Sequence, residues 1–365
     1  MDMQKLKKPV LIILACIAAS ILVIVLSGTP FRFSMDGGGD TGGKTVGDKA
    51  AGGEKIPIKV LILPQFEIGE MAGDAPGEAQ HFYENMFADS DKYVIPGPGD
   101  DTVMYVQDGR ALCLAGVGKV DSALRTTAIL TDERFDFSDA YIISVGCGGS
   151  AEGYAVMGDV VVITGIADYD LGHHADPRDM EDPDRPDWFY DDTLDSCASA
   201  VLNRDLTDRV YELTKDIKLD STDRARKAMR ETFSGEEWAE REPKVIKGTD
   251  VTSDNFWKGE YGDRNAKFIT ETYGMPDPFA VTDMEEIAKA TAVKRLGMED
   301  RYIAVRVSVN MDVFLKGETP ENLWATGGSI ITNDSSETLD IFPVAMMNNY
   351  KVVRAVVKAI DEGKL

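Results

Sequence analysis

The sequence is poor in the residues that build metal and redox centres: it holds 4 cysteines and 3 histidines in 365 residues. Cys16 falls in an N-terminal apolar run, leaving Cys113, Cys147 and Cys197 for the body, and no C-x-x-C spacing occurs. Thiols this few and scattered support neither a zinc cluster nor a dense disulfide framework. His173 and His174 are adjacent, so a regular element cannot aim both at one ion, and His81 stands alone. No metal and no cofactor is expected. Positive charge is also scarce, with 39 Lys and Arg against 63 Asp and Glu, a formal charge of −24. Residues 1–55 hold 7 basic and 5 acidic side chains, which leaves the body 32 against 58, or −26. A body this acidic repels polyphosphate and anionic lipid, which excludes nucleic acid as a partner. No second apolar run of spanning length occurs after the N-terminal one. One segment cannot line a solute pathway, so this chain alone is not a channel or carrier. With 43% apolar and 8% aromatic residues, there is material for a full core, which argues against a disordered acidic chain.

Lys5, Lys7 and Lys8 precede an uncharged stretch from Pro9 to Leu26. As a helix it would span roughly 27 Å, enough for the hydrocarbon core. Basic residues ahead of the run keep that end in the cytoplasm and send the body outside. A lipoprotein cysteine at Cys16 fits poorly, because only Val10–Ala15 would precede it as an apolar stretch. Whether the run is cleaved stays open, since Val-Leu-Ser before Gly28 is only a fair small-residue site. Eight of the 21 residues from Met35 to Lys55 are glycine, the composition of a flexible tether. The expected organisation is a signal or anchor segment at 1–27, a linker at 28–55 and one domain at 56–365, outside the cytoplasmic membrane.

Within the body, strands and helices alternate. Ile56–Pro64, Ala140–Val145, Asp159–Gly165, Lys244–Gly248, Ala280–Val281 and Tyr302–Asn310 read as strands. Val103–Asp108 and Arg110–Ala115 flank an Asp-Gly turn signal and form a hairpin. Helices are expected at Ala79–Phe87, Asp121–Thr131, Ala198–Lys215, Ile287–Gly297 and Val344–Glu362. The acidic Asp176–Asp187 stretch, with Pro177, Pro183 and Pro186, reads as a solvated surface loop rather than a calcium site. This alternation predicts an α/β fold of three layers, α/β/α, around a mixed, largely parallel central sheet.

Two predicted strands run into glycine clusters, Gly116-Val117-Gly118-Lys119 and Gly146-Cys147-Gly148-Gly149-Ser150. Glycine at strand ends lets backbone approach a ligand closely, although neither cluster has the spacing of a phosphate loop or dinucleotide fingerprint. Lys119 is read equally well as a cap on its loop, and Cys147 as a small residue tolerated in a turn, since no histidine base accompanies it. The order of the pieces says more than each alone. The first cluster, a helix, an apolar strand, the second cluster and then Met157-Gly158-Asp159-Val160-Val161 resemble the core of the nucleoside phosphorylase and nucleosidase superfamily. Val281-Thr282-Asp283-Met284-Glu285-Glu286 resembles that superfamily's Met-Glu element. Arg306, Ser308, Asn310 and Asp312 share one strand face by their spacing. With Gly248–Asp254 and the tyrosine-rich Tyr261–Pro278 stretch, residues 57–360 resemble the purine nucleoside permease family, a branch of the same fold.

The resemblance implies a purine nucleoside as ligand, with Met284, Glu285, Gly148 and Ser150 at the ribose. Asn310, Ser308 and Arg306 then fall at the purine, although Arg306 is read equally well as a buried ion-pair partner. Glu285 could also be an ordinary carboxylate at a helix N-terminus. Glu67 and Glu70 stand after the first strand, where the nucleosidases carry the glutamate that activates water. The purine position is Asp in bacterial nucleosidases and Asn310 here, so Asp312 is the alternative acid. Glu67, Glu70 and Asp312 are therefore the candidate catalytic groups. Two functions follow: an extracytoplasmic purine nucleoside-binding protein that assists uptake beside a membrane transporter, or a nucleoside hydrolase or phosphorylase. Phosphate needs fixed cationic donors, and Pro64–Glu70 contains no arginine, which favours water over phosphate. A homo-oligomer is expected.

Overall fold

The computed structural model describes residues 54–97, 101–182, 185–189, 192–325 and 338–365. The expected N-terminal segment, and the linker up to residue 53, lie outside the described residues. No helix among the described residues is long and apolar enough to cross a membrane.

The central sheet has ten strands: β1 (Val60–Leu63), β2 (Asp91–Ile95), β3 (Thr102–Gln107), β4 (Arg110–Cys113), β5 (Tyr141–Ser150), β6 (Val160–Asp168), β7 (Ser199–Val201), β8 (Val245–Thr252), β9 (Phe279–Asp283) and β10 (Tyr302–Met311). Their order is β7-β6-β8-β9-β5-β1-β4-β3-β2, and β10 pairs with both β5 and β6. β1 runs parallel to β4 and β5, β10 parallel to β5, and β8 parallel to β6 and β9. The β9–β5, β10–β6, β7–β6, β3–β4 and β2–β3 pairs are antiparallel, so the sheet is mixed.

Helices α1 (Gln80–Met86), α2 (Lys119–Leu130), α3 (Arg204–Thr214), α4 (Asp223–Thr232), α5 (Glu260–Thr272), α6 (Glu286–Arg295) and α7 (Thr338–Asp361) accompany the sheet. Alternation along β1 shows the layering. Leu61 and Leu63 join a core with Ile129 of α2 and Ile287 and Val293 of α6. Val60 and Ile62 join another with Phe82 of α1, Val210 of α3 and Val353 of α7. β1 is covered on both faces, which is why it reads as a continuous aliphatic run. The three-layer α/β/α arrangement follows.

The structure revises two local expectations. Residues 198–215 are not one helix: a short helical turn at Asp195–Ala198 gives way to β7, which pairs with Gly165–Ala167 of β6. Asn203 then starts α3 afresh, its side chain accepting the Leu206 N–H at 3.2 Å. Gly146–Ser150 is not a turn either, because β5 runs unbroken through Ser150. The Asp108-Gly109 hairpin is present, with both turn residues at positive φ, 51° and 73°.

Candidate functional site

Three neighbouring strands, β9, β5 and β10, bring the conspicuous side chains together. Along β10, Arg306 lies opposite Gly146, Ser308 opposite Gly148 and Asn310 opposite Gly149. The register slips between Ser308 and Asn310, so the chain leaves the sheet with Asp312 beside Ser150, whose carbonyl accepts the Asp312 N–H at 3.0 Å. None of the β5 glycines needs an unusual φ; they are required for space. A Cβ on Gly149 would collide with Asp312 Oδ1 and lie 2.8 Å from Thr282 Oγ1. One on Gly146 would collide with Arg306 Nη1 and Gln65 Oε1 and lie 2.8 Å from Glu78 Oε1. The missing side chains leave room for polar groups of the neighbouring segments to lie across β5. Gly116 and Gly118, by contrast, take φ of 81° and 83° and make the turn into α2.

Glu285 follows β9 and is 4% exposed, with Met284 half-buried beside it. Its Oε1 accepts the Gly118 N–H at 3.0 Å, and its Oε2 lies 3.8 Å from Arg306 Nη2. Burial and the neighbouring Asp283 push its carboxyl up to about 8, although Arg306 and Lys289 pull the other way. Asp312 accepts the Thr282 hydroxyl at 2.9 Å through Oδ1, while Oδ2 is buried with no hydrogen-bond partner among the described residues. Burial pushes its carboxyl well above the usual range, which favours the protonated form. Asn310 is 6% exposed, and its Nδ2 donates to the Met311 carbonyl at 3.1 Å.

Arg306 is held by acids on one side, while its Nε and Nη1 have no hydrogen-bond partner among the described residues. It is fully buried, and its Nη2 pairs with Asp283, with Glu286 Oε2 at 2.8 Å and more distantly with Glu285. Asp250, Asp283 and Glu286 bring carboxylate oxygens within 4.8 Å of one another, and the guanidinium is the cation among them. Burial alone would raise Glu286, but Lys289, Arg306 and the Tyr302 and Ser144 hydroxyls outweigh it and hold that carboxyl at about 2. Arg306 is thereby the ion-pair partner that the sequence also allowed, and it sets the field felt by Glu285. Ser150 and Ser308 are also fully buried and hydrogen-bonded to each other, with Ser150 Oγ donating to the Asn310 carbonyl at 2.8 Å. They hold β5 to β10 at the register slip. Gly148 packs against the Thr282 carbonyl.

Neither acid expected after the first strand joins this cluster. Glu67 is 4% exposed and spends its carboxylate on four backbone N–H groups, those of Ile68, Gly77, Ala79 and Gln80. Burial nonetheless lifts it to about 7. Glu70 stands exposed on the loop. The carboxylate that does arrive is Glu78, which the sequence reading missed. It is 4% exposed, and accepts the Gln65 N–H through Oε2 and the Cys147 N–H through Oε1, both at 2.8 Å. Burial raises its pKa and Arg306 lowers it, with burial winning. The signal was present as Pro76-Gly77-Glu78 directly before α1, an acid at a tight approach where a helix begins. Gln65 completes the group, buried with neither amide atom partnered among the described residues.

On the other side, the start of α2 is filled by the chain's own carboxylates. Glu285 takes the Gly118 N–H, and Asp254 Oδ1 takes the Lys119 N–H at 2.8 Å. Lys119 Nζ is claimed by Asp168 at 2.8 Å and Asp170 at 2.9 Å.

The family model described as Purine nucleoside permease (NUP) matches residues 57–363. A probable purine nucleoside permease of Schizosaccharomyces pombe is 22% identical over 253 residues, 64% of this chain and 71% of that protein. A purine nucleoside permease of Candida albicans is 23% identical over 195 residues, 50% of this chain, and the match spans only 48% of that protein. Among solved structures, a 5′-methylthioadenosine/S-adenosylhomocysteine nucleosidase from Colwellia psychrerythraea in complex with adenine covers 83% of this chain and 96% of its own, at 18% identity and a TM-score of 0.50. Futalosine hydrolase of Helicobacter pylori covers 82% and 97% at 15% identity and the same TM-score. At that identity the structural likeness shows a shared fold.

Proposed function

The chain belongs to the purine nucleoside permease family, and from that membership and the geometry of the site we propose that it is an extracytoplasmic purine nucleoside-binding protein serving nucleoside uptake. The ribose hydroxyls lie on Glu285 with Met284 against the sugar, and the base points to Asn310 and Asp312. One observation carries this reading: the buried Glu285 carboxyl, anchored by the Gly118 N–H, follows β9, and the Asn310 amide and the Asp312 carboxyl lie at the end of β10, the two strands that flank the β5 glycines. Acceptors for a diol at one end and polar donors for a ring nitrogen at the other are what a purine nucleoside requires. The N-terminal basic and apolar residues hold the body at the outer face of the membrane, and the role needs a membrane transporter to receive the nucleoside.

A second reading, hydrolysis of the N-glycosidic bond, is favoured by Glu78. A buried carboxylate above its usual pKa beside Arg306 is suited to take a proton from water as its oxygen bonds to C1′. The C1′–N bond breaks, and the base leaves with a proton from Asp312. Water is favoured over phosphate because the N–H groups and lysine at the start of α2 are occupied by Glu285, Asp254, Asp168 and Asp170.

Equilibrium dialysis of the full chain against inosine, adenosine and guanosine, with product analysis by mass spectrometry with and without phosphate, tests both readings. Binding without turnover supports the first. Release of base and free ribose irrespective of phosphate supports the second, and ribose 1-phosphate formed only with phosphate overturns it. Failure to bind any of the three nucleosides overturns both.

A further inference from the structure

Residues 67–80 leave the end of β1 and come back to it before α1 starts; the Glu78 N–H donates to the Phe66 carbonyl at 3.3 Å, and the Glu67 side chain gathers the rest of the closure. The Glu67 carboxylate accepts N–H groups from both ends: Ile68 at 2.9 Å on the outgoing side, and Gly77, Ala79 at 2.8 Å and Gln80 at 2.5 Å on the returning side. Gly77 marks where the two ends touch. A Cβ there would lie 2.5 Å from Glu67 Oε1, 2.7 Å from Ile68 N and 2.9 Å from Glu67 Cα, so the approach admits no side chain. Between the ends, residues 69–75 are exposed apart from Met71, and offer little apolar area to hold the loop down. The residue after Gly77 is Glu78, seated between the N–H groups of Gln65 and Cys147.

We propose that Glu67 is a positioning residue: by gathering four N–H groups it holds the 67–80 loop closed and sets Glu78 against Gly146, Cys147 and the Arg306 guanidinium. This rests on the assignment of Glu78 to the site. The ionised carboxylate is the side chain the task demands, because it has two oxygens, about four acceptor positions, and no donor, so the comparison is made at a pH above the Glu67 value of about 7. Glutamine has the same shape but replaces one oxygen with an NH₂ that would confront N–H groups, so Glu67→Gln opens the clip without changing its volume.

The experiment compares the full-length wild type, Glu67→Gln and Glu78→Gln by hydrogen exchange, by site-resolved iodoacetamide labelling and by nucleoside turnover. In Glu67→Gln, exchange should rise in residues 67–80 and stay unchanged in β8 and β9. Labelling of Cys147 should quicken, since Glu78 no longer covers its N–H and thiol. If nucleoside is hydrolysed, kcat should fall by roughly 100-fold, the loss expected when a reacting group is misplaced by about 1 Å, with KM nearly unchanged and kcat close to that of Glu78→Gln. Absence of turnover in the wild type would sink the hydrolytic reading alone, because exchange and Cys147 labelling still decide whether Glu67 holds the loop. Wild-type exchange and labelling in Glu67→Gln would overturn the proposal. So would exchange raised uniformly along the chain, which would make Glu67 a general stability element, and so would an undiminished kcat.

Discussion

Glu285 shows how a side chain's role is set by its surroundings. A carboxyl held at about 8 is largely protonated at neutral pH and offers fewer acceptors than the ionised form. A ribose diol is best met by the carboxylate, so affinity for ribonucleosides should increase as pH rises through about 8. The sign follows because the ionised form accepts from both hydroxyls, and binding them in turn favours loss of the proton. Calorimetric titration with inosine from about pH 6 to about pH 9 should show the gain, with a much smaller gain for 2′-deoxyinosine. A pH-independent affinity would remove Glu285 from the sugar. At fixed alkaline pH, Glu285→Gln should weaken ribonucleosides by about 1.5–3 kcal/mol, the worth of a hydrogen bond to a charged group, and leave free bases unaffected.

At the scale of elements, the candidate site is a glycine-rich strand end crossed by polar groups from its neighbours. Gly149→Ala should force Asp312 and Thr282 aside and cost about 1–3 kcal/mol as an overpacked position does, together with loss of nucleoside binding. A midpoint of urea unfolding unchanged from the wild type would show that β5 and β10 move apart without cost. The charge cluster between β9, α6 and β10 makes the opposite kind of prediction. Glu286, held at about 2 against an ordinary 4.5, contributes stability that is present above pH 4.5 and lost as pH falls toward 2. Glu286→Gln leaves Arg306 and Lys289 undercompensated in the core and should cost about 3–5 kcal/mol at neutral pH. The gap from the wild type should narrow on acidification. A gap that is constant with pH would show that the loss comes from packing alone.

For the whole molecule, the distribution of charge belongs with the proposed location. The basic residues ahead of Pro9 suit a chain whose body faces away from the cytoplasm. Expressed in a bacterial host, the full chain should fractionate outside the inner membrane or on its outer face. Deletion of residues 1–27 should retain the body in the cytoplasm, and identical fractionation of both forms would overturn the location. Periodicity alone was enough for the layers, because a strand segment packed on both faces is mostly apolar, and β1 and the Val160–Ile163 start of β6 are written that way. It failed at 198–215, where an amphipathic pattern spans a helical turn, a paired strand and a new helix. The break is made by pairing with β6, which no local pattern contains.

The sequence alone determined the fold class and the family, and it offered candidate site residues, since glycine clusters, the Met284-Glu285 pair and the Arg306–Asp312 face are local patterns. The tertiary structure alone decided which of these face the site. Arg306 allowed either a base or an acid as partner, and Asp283 and Glu286 are the acids that meet its Nη2. Ser150 and Ser308 pair with each other. Among the acids after β1, proximity in sequence pointed to Glu67 and Glu70. The chain instead folds back through Gly77, commits Glu67 to the loop's own N–H groups and carries Glu78 to Arg306. The physical reason is that burying a loop's backbone requires acceptors for its N–H groups, and which acid supplies them depends on contacts that only the closed loop makes.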